Sequence, residues 1–197
     1  MIENENTDNS SINSLYSCEN HNKIKEDLFD DNEKEDDYDN TSGIIQIIAE
    51  LLKDICDEGK INKEEKLKLV KTFTCQKIPS ISINDYIERL YKYSKVSKET
   101  FIFILIYIDQ ICDKHKIFLN YNNIHKLILA SFIVAIKFYE DEHYSLNFYA
   151  KLGGISKKEL LILEYEFLAL IDFQLYIGEE LFNKYNDYLQ NLDNDEY

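Results

Sequence analysis

The residue types that carry catalysis are present in this 197-residue chain but form no recognisable active-site pattern. None of the four histidines belongs to a His-Glu-x-x-His motif or stands at ligand spacing from a cysteine, as a zinc site requires. No Gly-x-Ser-x-Gly nucleophile elbow occurs, and the five glycines spell neither of the glycine-rich phosphate-binding loops. The sequence therefore predicts no enzyme active site, no metal site and no cofactor.

Two further polar features are predicted to be structural. The acidic run Glu140-Asp141-Glu142 lacks the glycine and the alternation of a calcium-binding loop, so we expect a solvated turn. His125 stands near a helix start, where a packed or capping histidine is more common than a metal ligand. Neither feature points to chemistry.

Charged side chains inside apolar segments are the unusual feature of the chain. Lys137 ends the run ILASFIVAI, and Glu164 lies inside LLILEYEFLALI. Burying an unpaired charge costs several kcal/mol, so each residue needs a partner. Two interpretations stay open: the two residues pair with each other inside the fold, or they lie at the edge of the core and bind a second protein. Physics alone favours the first.

A second pair of charged residues is predicted to be structural. Asp109, in the segment IYIDQI, is expected to be a buried carboxylate. Arg89 is the only arginine among 22 basic residues and could clamp a carboxylate bidentately. The four cysteines are spread out with no Cys-x-x-Cys pair, which is typical of reduced thiols in a cytosolic or nuclear protein.

The net charge of −15 is concentrated at the two ends of the chain. Residues 1–43 carry a net charge of −10, residues 187–197 carry −4, and the body between them carries −1. We expect the first segment to be a disordered acidic tail. A neutral body between acidic ends is a poor match for a polyphosphate, so nucleic acid is not expected as a partner. The longest strongly apolar run, Phe101–Ile108, is too short to span a membrane.

The chain has only five glycines and one proline, which is untypical of a turn-rich β fold and favours helices. We therefore expect helices to position these residues. Two segments, Phe101–Ile111 and Ile124–Phe138, are apolar on nearly every face, which predicts two central helices enclosed by amphipathic ones in an orthogonal bundle. Ser82, Ser97 and Ser156 are predicted helix caps. The enclosing helices are expected at 44–58, 82–93, 146–152, 156–172 and 179–189, with a capped turn between Asn62 and Phe73.

Four segments of the chain carry a family resemblance: Phe73–Ser94, Phe101–Ile111, Asn123–Ser156 and Lys158–Ile177. They contain the stretches Ile-His-Lys-Leu, Ala-Lys-Leu-Gly-Gly-Ile-Ser and Leu-Glu-x-x-Phe-Leu. The segments resemble the cyclin box of the P-type and U-type cyclins, and the three stretches are especially similar to that subgroup. The resemblance implies an all-α fold, a five-helix orthogonal bundle with flanking N- and C-terminal helices. It covers residues 44–190, between acidic tails at 1–43 and 191–197.

The resemblance also implies a function. Such a protein is a non-catalytic regulatory subunit that binds and activates a cyclin-dependent kinase as a heterodimer, in the nucleus, the cytoplasm or both. Lys137 and Glu164 match the family residues that hold the kinase C-helix. Their expected neighbours in that interface are Phe138, Tyr139, Phe167 and Leu168.

The resemblance leaves two points open. Asp109 matches a family aspartate that pairs with an arginine of the first box helix, and Arg89, which lies later in that helix, is the only candidate for this structural role. The Met-Arg-x-x-Leu docking motif of cell-cycle cyclins is absent. The alternative function is a cyclin-fold adaptor that binds a non-kinase partner.

Overall fold

A computed structural model describes residues 42–59 and 71–195, and all regular structure in those two ranges is helical. The predicted all-α class is confirmed. The predicted acidic tail 1–43 and the capped turn that starts at Asn62 lie mostly outside the described residues, whereas residues 191–195 of the predicted C-terminal tail are described and helical. Within the two described ranges the helices are α1 (Ser42–Gly59), α2 (Ile83–Ser94), α3 (Lys98–His115), α4 (Ile124–Tyr139), α5 (Leu146–Leu152), α6 (Lys157–Leu170) and α7 (Glu179–Asp195), with a 3₁₀ turn at Lys71–Phe73.

Serine side chains start three of these helices. Ser82 Oγ accepts a hydrogen bond from the Asp85 amide at 3.0 Å, and Ser156 Oγ accepts one from the Glu159 amide at 3.1 Å. Ser145 caps α5 in the same way. Each cap satisfies an amide that the helix leaves unpaired and contributes about 1 kcal/mol. The caps at the starts of α2 and α6 confirm the predictions made from sequence. The predicted cap by Ser97 is not formed, because its hydroxyl donates to the Glu140 carboxylate and makes no cap hydrogen bond in α3.

The two apolar helices, α3 and α4, form the centre of the bundle. In α4, every residue from Ile124 to Ile136 except Lys126 is buried. The one buried hydroxyl in this stretch, that of Ser131, donates to the carbonyl oxygen of Leu127 at 2.8 Å, so it is not left unpaired. The two helices pack directly on each other, which confirms the predicted arrangement of central and enclosing helices.

The remaining helices enclose that centre. Helix α6 packs on α4 through Leu160, Leu163 and Phe167, all of which are fully buried. Gly153, in the turn after α5, lies so close to α4 that a Cβ atom there would overlap the side chain of Leu129. Helices α1 and α7 pack on each other and on α3, as the predicted flanking helices. No helix in the described ranges is long and apolar enough to cross a membrane.

The structure contradicts the expected pairing of Asp109 with Arg89. Asp109 is exposed, because its side of α3 faces outward, and its Oδ2 accepts a hydrogen bond from the Tyr185 hydroxyl of α7 at 2.5 Å. Arg89 is half-buried, with its Cζ 5.3 Å from the centre of the Tyr86 ring. Burial lowers the pKa of the Arg89 guanidinium. Asp109 therefore joins α3 to α7, while Arg89 packs on an aromatic ring.

Candidate functional site

The two charged residues singled out from sequence form an ion pair at the edge of the core. Lys137 Nζ lies 2.5 Å from Glu164 Oε1 and joins the last turn of α4 to the middle of α6. The Lys137 side chain is 35% exposed and that of Glu164 is 13% exposed. The two residues pair with each other, as the first interpretation states, and they lie at the edge of the core, as the second requires. Their binding to a second protein stays a prediction.

Local sequence explains why the two charges meet. Lys137 lies in the last turn of α4, where the partial negative charge of the helix end favours a cation. Glu164 lies one residue after Leu163 and three before Phe167, so it borders the face that α6 buries against α4. The packing of α6 on α4 thus brings the carboxylate to the ammonium group.

Exposed apolar side chains surround this ion pair. On α6, Leu161 and Leu168 lie three residues before and four after Glu164, so they neighbour it on the helix surface. Tyr165 lies four residues after Leu161 and three before Leu168, so it neighbours both of them. Leu161 is 45% exposed and Tyr165 is 66% exposed. On α4, Phe138 follows Lys137 and is 46% exposed. We call this set the rim surface: Lys137, Phe138, Leu161, Glu164, Tyr165 and Leu168.

The structure does not bring all the predicted neighbours to this surface. Phe167 is fully buried, with its ring 6.4 Å from those of Phe73 and Tyr107, so it belongs to the core and not to an interface. Leu168 is half-buried and packs against the core with one side. The expectation that Phe167 contacts a partner is wrong in this structure, because an apolar segment does not reveal which of its residues point inward.

Tyr139, another predicted neighbour, is a structural link. Its ring stacks on Phe103 with centroids 3.6 Å apart. Its hydroxyl donates to the carbonyl oxygen of Leu175 and accepts from the amide of Ile177, each at 2.9 Å. Tyr139 therefore ties the end of α4 to the segment that connects α6 to α7.

Sequence reasoning missed Leu161 and Tyr165, which are the exposed apolar residues of α6 beside Glu164. The helical spacing of Leu161 from Glu164 and of Tyr165 from Leu161 was the available signal. It also missed Phe173, which is the third residue after α6, has a positive φ of 58° and is 64% exposed. The ion pair between Asp172 and Lys114 holds this turn on α3.

A small pocket lies beside Lys137, between α4 and the segment before α5. Its volume is about 80 Å³. A site for a small metabolite is several times larger, so this pocket has room for one apolar side chain of a partner. Its walls are formed by Ile133, Ile136, Lys137, His143, Tyr144, Ser145, Leu146 and Tyr149.

Groups with catalytic potential are not assembled in the described part of the chain. No cluster of three or more metal-binding side chains occurs there. Among the described cysteines, Cys56 and Cys75 are buried and Cys112 is half-buried. Burial raises the pKa of the Cys112 thiol to about 12, so at neutral pH it is protonated and a poor nucleophile. The rim surface is thus the candidate site, and its composition suits a protein partner.

A family model described as Cyclin matches residues 3–175. The chain belongs to the cyclin family. This cyclin is 27% identical to Cyclin-U2-1 of Arabidopsis thaliana over 176 residues, which cover 85% of the chain and 77% of that protein. It is 33% identical to Cyclin-U4-1 of the same plant over 152 residues, covering 76% of the chain and 75% of that protein.

A yeast relative of this cyclin is PHO85 cyclin-7 of Saccharomyces cerevisiae (strain ATCC 204508 / S288c). The two are 34% identical over 146 residues, which cover 68% of this chain and 51% of that protein. The resemblance to U-type and P-type cyclins drawn from sequence is confirmed. In this cyclin, the six residues of the rim surface therefore lie on two helices of a cyclin fold, α4 and α6.

Proposed function

We propose that this cyclin is a regulatory subunit that binds and activates a cyclin-dependent kinase through the rim surface. The observation that carries the proposal is the Lys137–Glu164 ion pair, which stands at the edge of the core among exposed apolar side chains. Membership of the cyclin family supports a kinase as the partner.

The rim surface has the composition of a protein-binding site. Phe138, Leu161 and Tyr165 offer apolar area whose burial drives association. Lys137 uses one of its three N–H donors on Glu164, so the others remain for carbonyl oxygens of a partner helix. Charges embedded in an apolar patch fix the register of a bound helix, since a misplaced helix would leave them buried and unpaired.

Activation follows from selective binding. A protein kinase is active when a C-helix glutamate pairs with the lysine that positions the ATP phosphates. A cyclin that binds only the inward position of the C-helix shifts the kinase population towards it, by the difference in affinity for the two positions. The cyclin then contributes no catalytic group of its own.

The test uses two matched pairs of substitutions in α4 and α6. The first variant, Lys137→Met with Glu164→Gln, removes the charges of the rim pair and keeps the side-chain size. The second, Lys126→Met with Glu159→Gln, does the same for another ion pair between these helices, 2.9 Å long and not part of the rim surface. We expect the first variant to bind its kinase at least about tenfold more weakly, and the second to bind like wild type.

Circular dichroism and melting temperature decide between the outcomes. Weak binding by a rim variant that keeps its helical content supports the proposal. A rim variant that unfolds is evidence that the pair is purely structural, and one that folds and binds normally places the interface elsewhere. Affinity purification of the native complex supplies the partner: recovery of a non-kinase protein in its place supports the adaptor function.

A further inference from the structure

Glu140, the first residue after α4, has a carboxylate that is tied to another helix. Its Oε1 accepts hydrogen bonds from the Ser97 amide at 2.9 Å and from the Ser97 hydroxyl at 2.8 Å. It also accepts one from the Thr100 hydroxyl. The expectation of a solvated turn is wrong for this residue, which is half-buried, although Asp141 and Glu142 are exposed.

The three donors belong to the start of α3. Ser97 stands at the N-cap position, but its hydroxyl bonds Glu140 and makes no cap hydrogen bond within its own helix. The positive end of a helix dipole favours an anion at this place. Burial opposes the ionisation of Glu140, but the hydrogen bonds from Thr100 and Ser97 outweigh it and hold the pKa of the carboxyl below its ordinary value.

The position of Glu140 in the chain gives this contact a consequence for the rim surface. Lys137 and Phe138 lie in the last turn of α4, and helix ends fray unless neighbouring groups hold them. Glu140 directly follows that turn, and its side chain is hydrogen-bonded to the start of α3. Tyr139, in the turn itself, donates to the carbonyl oxygen of Leu175. The turn that presents Lys137 and Phe138 is therefore held on two sides.

We propose that Glu140 is a positioning residue for the rim surface, fastening the last turn of α4 to the start of α3 so that Lys137 and Phe138 keep the geometry a partner recognises. The inference rests on the proposed function, because it assumes that the rim surface binds the kinase. It assigns Glu140 no contact with the partner.

The test compares Glu140→Gln with Asp141→Asn, which removes the neighbouring exposed charge. Hydrogen exchange of the amides at 136–140 reports how firmly the last turn is held, without any partner. Kinase affinity is measured at a temperature where every variant is folded. We expect Glu140→Gln to exchange faster in that turn and to bind its kinase on the order of fivefold more weakly, with Asp141→Asn like wild type.

A second variant keeps the test decisive if Glu140→Gln folds poorly. Ser97→Ala removes one donor from Glu140 and should cause smaller changes of the same kind, and combining it with Glu140→Gln should add less than the sum of the two. A melting temperature that falls while kinase affinity stays at the wild-type value overturns the positioning role and leaves the proposed function intact. Failure of the wild type to bind any kinase overturns the proposed function, and the exchange rates still decide whether Glu140 holds the end of α4.

Discussion

Lys126 Nζ lies 2.9 Å from Glu159 Oε1, in a second ion pair between α4 and α6. Lys126 and Lys137 are eleven residues apart in sequence, which places them about three turns apart on one side of α4. Glu159 and Glu164 lie on opposite flanks of the buried face of α6. Helix α6 therefore crosses α4 between two ion pairs. In the Lys126–Glu159 pair, the lysine side chain is 17% exposed and the glutamate side chain is 15% exposed, so this pair is the less exposed of the two.

We expect the Lys126–Glu159 pair to contribute to stability and not to kinase binding. Lys126→Met alone leaves Glu159 largely buried beside no cation, and should lower the free energy of unfolding by roughly 1–3 kcal/mol, less than for a fully buried pair. Adding Glu159→Gln should restore part of the loss. Urea denaturation measures both effects, and a single variant within about 0.5 kcal/mol of wild type would contradict the expectation.

Two tyrosine hydroxyls, those of Tyr107 and Tyr139, donate to the same carbonyl oxygen of Leu175. Tyr107→Phe removes one of two donors from that oxygen and should cost about 1 kcal/mol of unfolding free energy. Tyr139→Phe should cost more, roughly 2 kcal/mol, because it also leaves the buried Ile177 amide without its acceptor. Chemical denaturation of the two variants side by side tests the order, and equal losses would show that the Ile177 amide finds another acceptor.

Glu140 should make stability depend on pH below the ordinary carboxyl range. Its folded pKa is held below the ordinary value of 4.5, so its contribution is complete above that value and is lost as pH falls through the folded pKa. The difference in melting temperature between wild type and Glu140→Gln should be constant from pH 7 to about 5.5 and should close on further acidification. A difference that widens in acid would mean that folding raises the pKa of Glu140 above its ordinary value.

The Cys112 thiol should resist alkylation in the folded protein. Burial raises its pKa to about 12, so at pH 8 almost none of it is thiolate. Cys56 and Cys75 are buried as well. Peptide mapping after iodoacetamide treatment should show these three cysteines modified only when urea is present. Rapid labelling of Cys112 without denaturant would mean that α1 or α3 opens readily.

Much of the fold could be predicted from sequence, because helix periodicity and serine caps are local signals. The proximity of Lys137 and Glu164 was also accessible, since two charges in apolar helices each need a partner. The role of Glu140 was not accessible, because its donors lie about forty residues earlier in the chain and meet it only through tertiary packing. The exposure of Asp109 likewise depends on where α7 lies on α3.

The nearly complete enclosure of α4 gives the two helices of the rim surface unequal freedom to change during evolution. From Ile124 to Ile136, a substitution in α4 disturbs the core almost everywhere, so only the exposed Lys137 and Phe138 can change with little loss of stability. The outer face of α6 touches little else in the protein, and exposed positions such as Leu161 and Tyr165 can be exchanged with small effects on stability. Among related chains that choose different partners, the differences in choice should therefore map to α6 more than to α4.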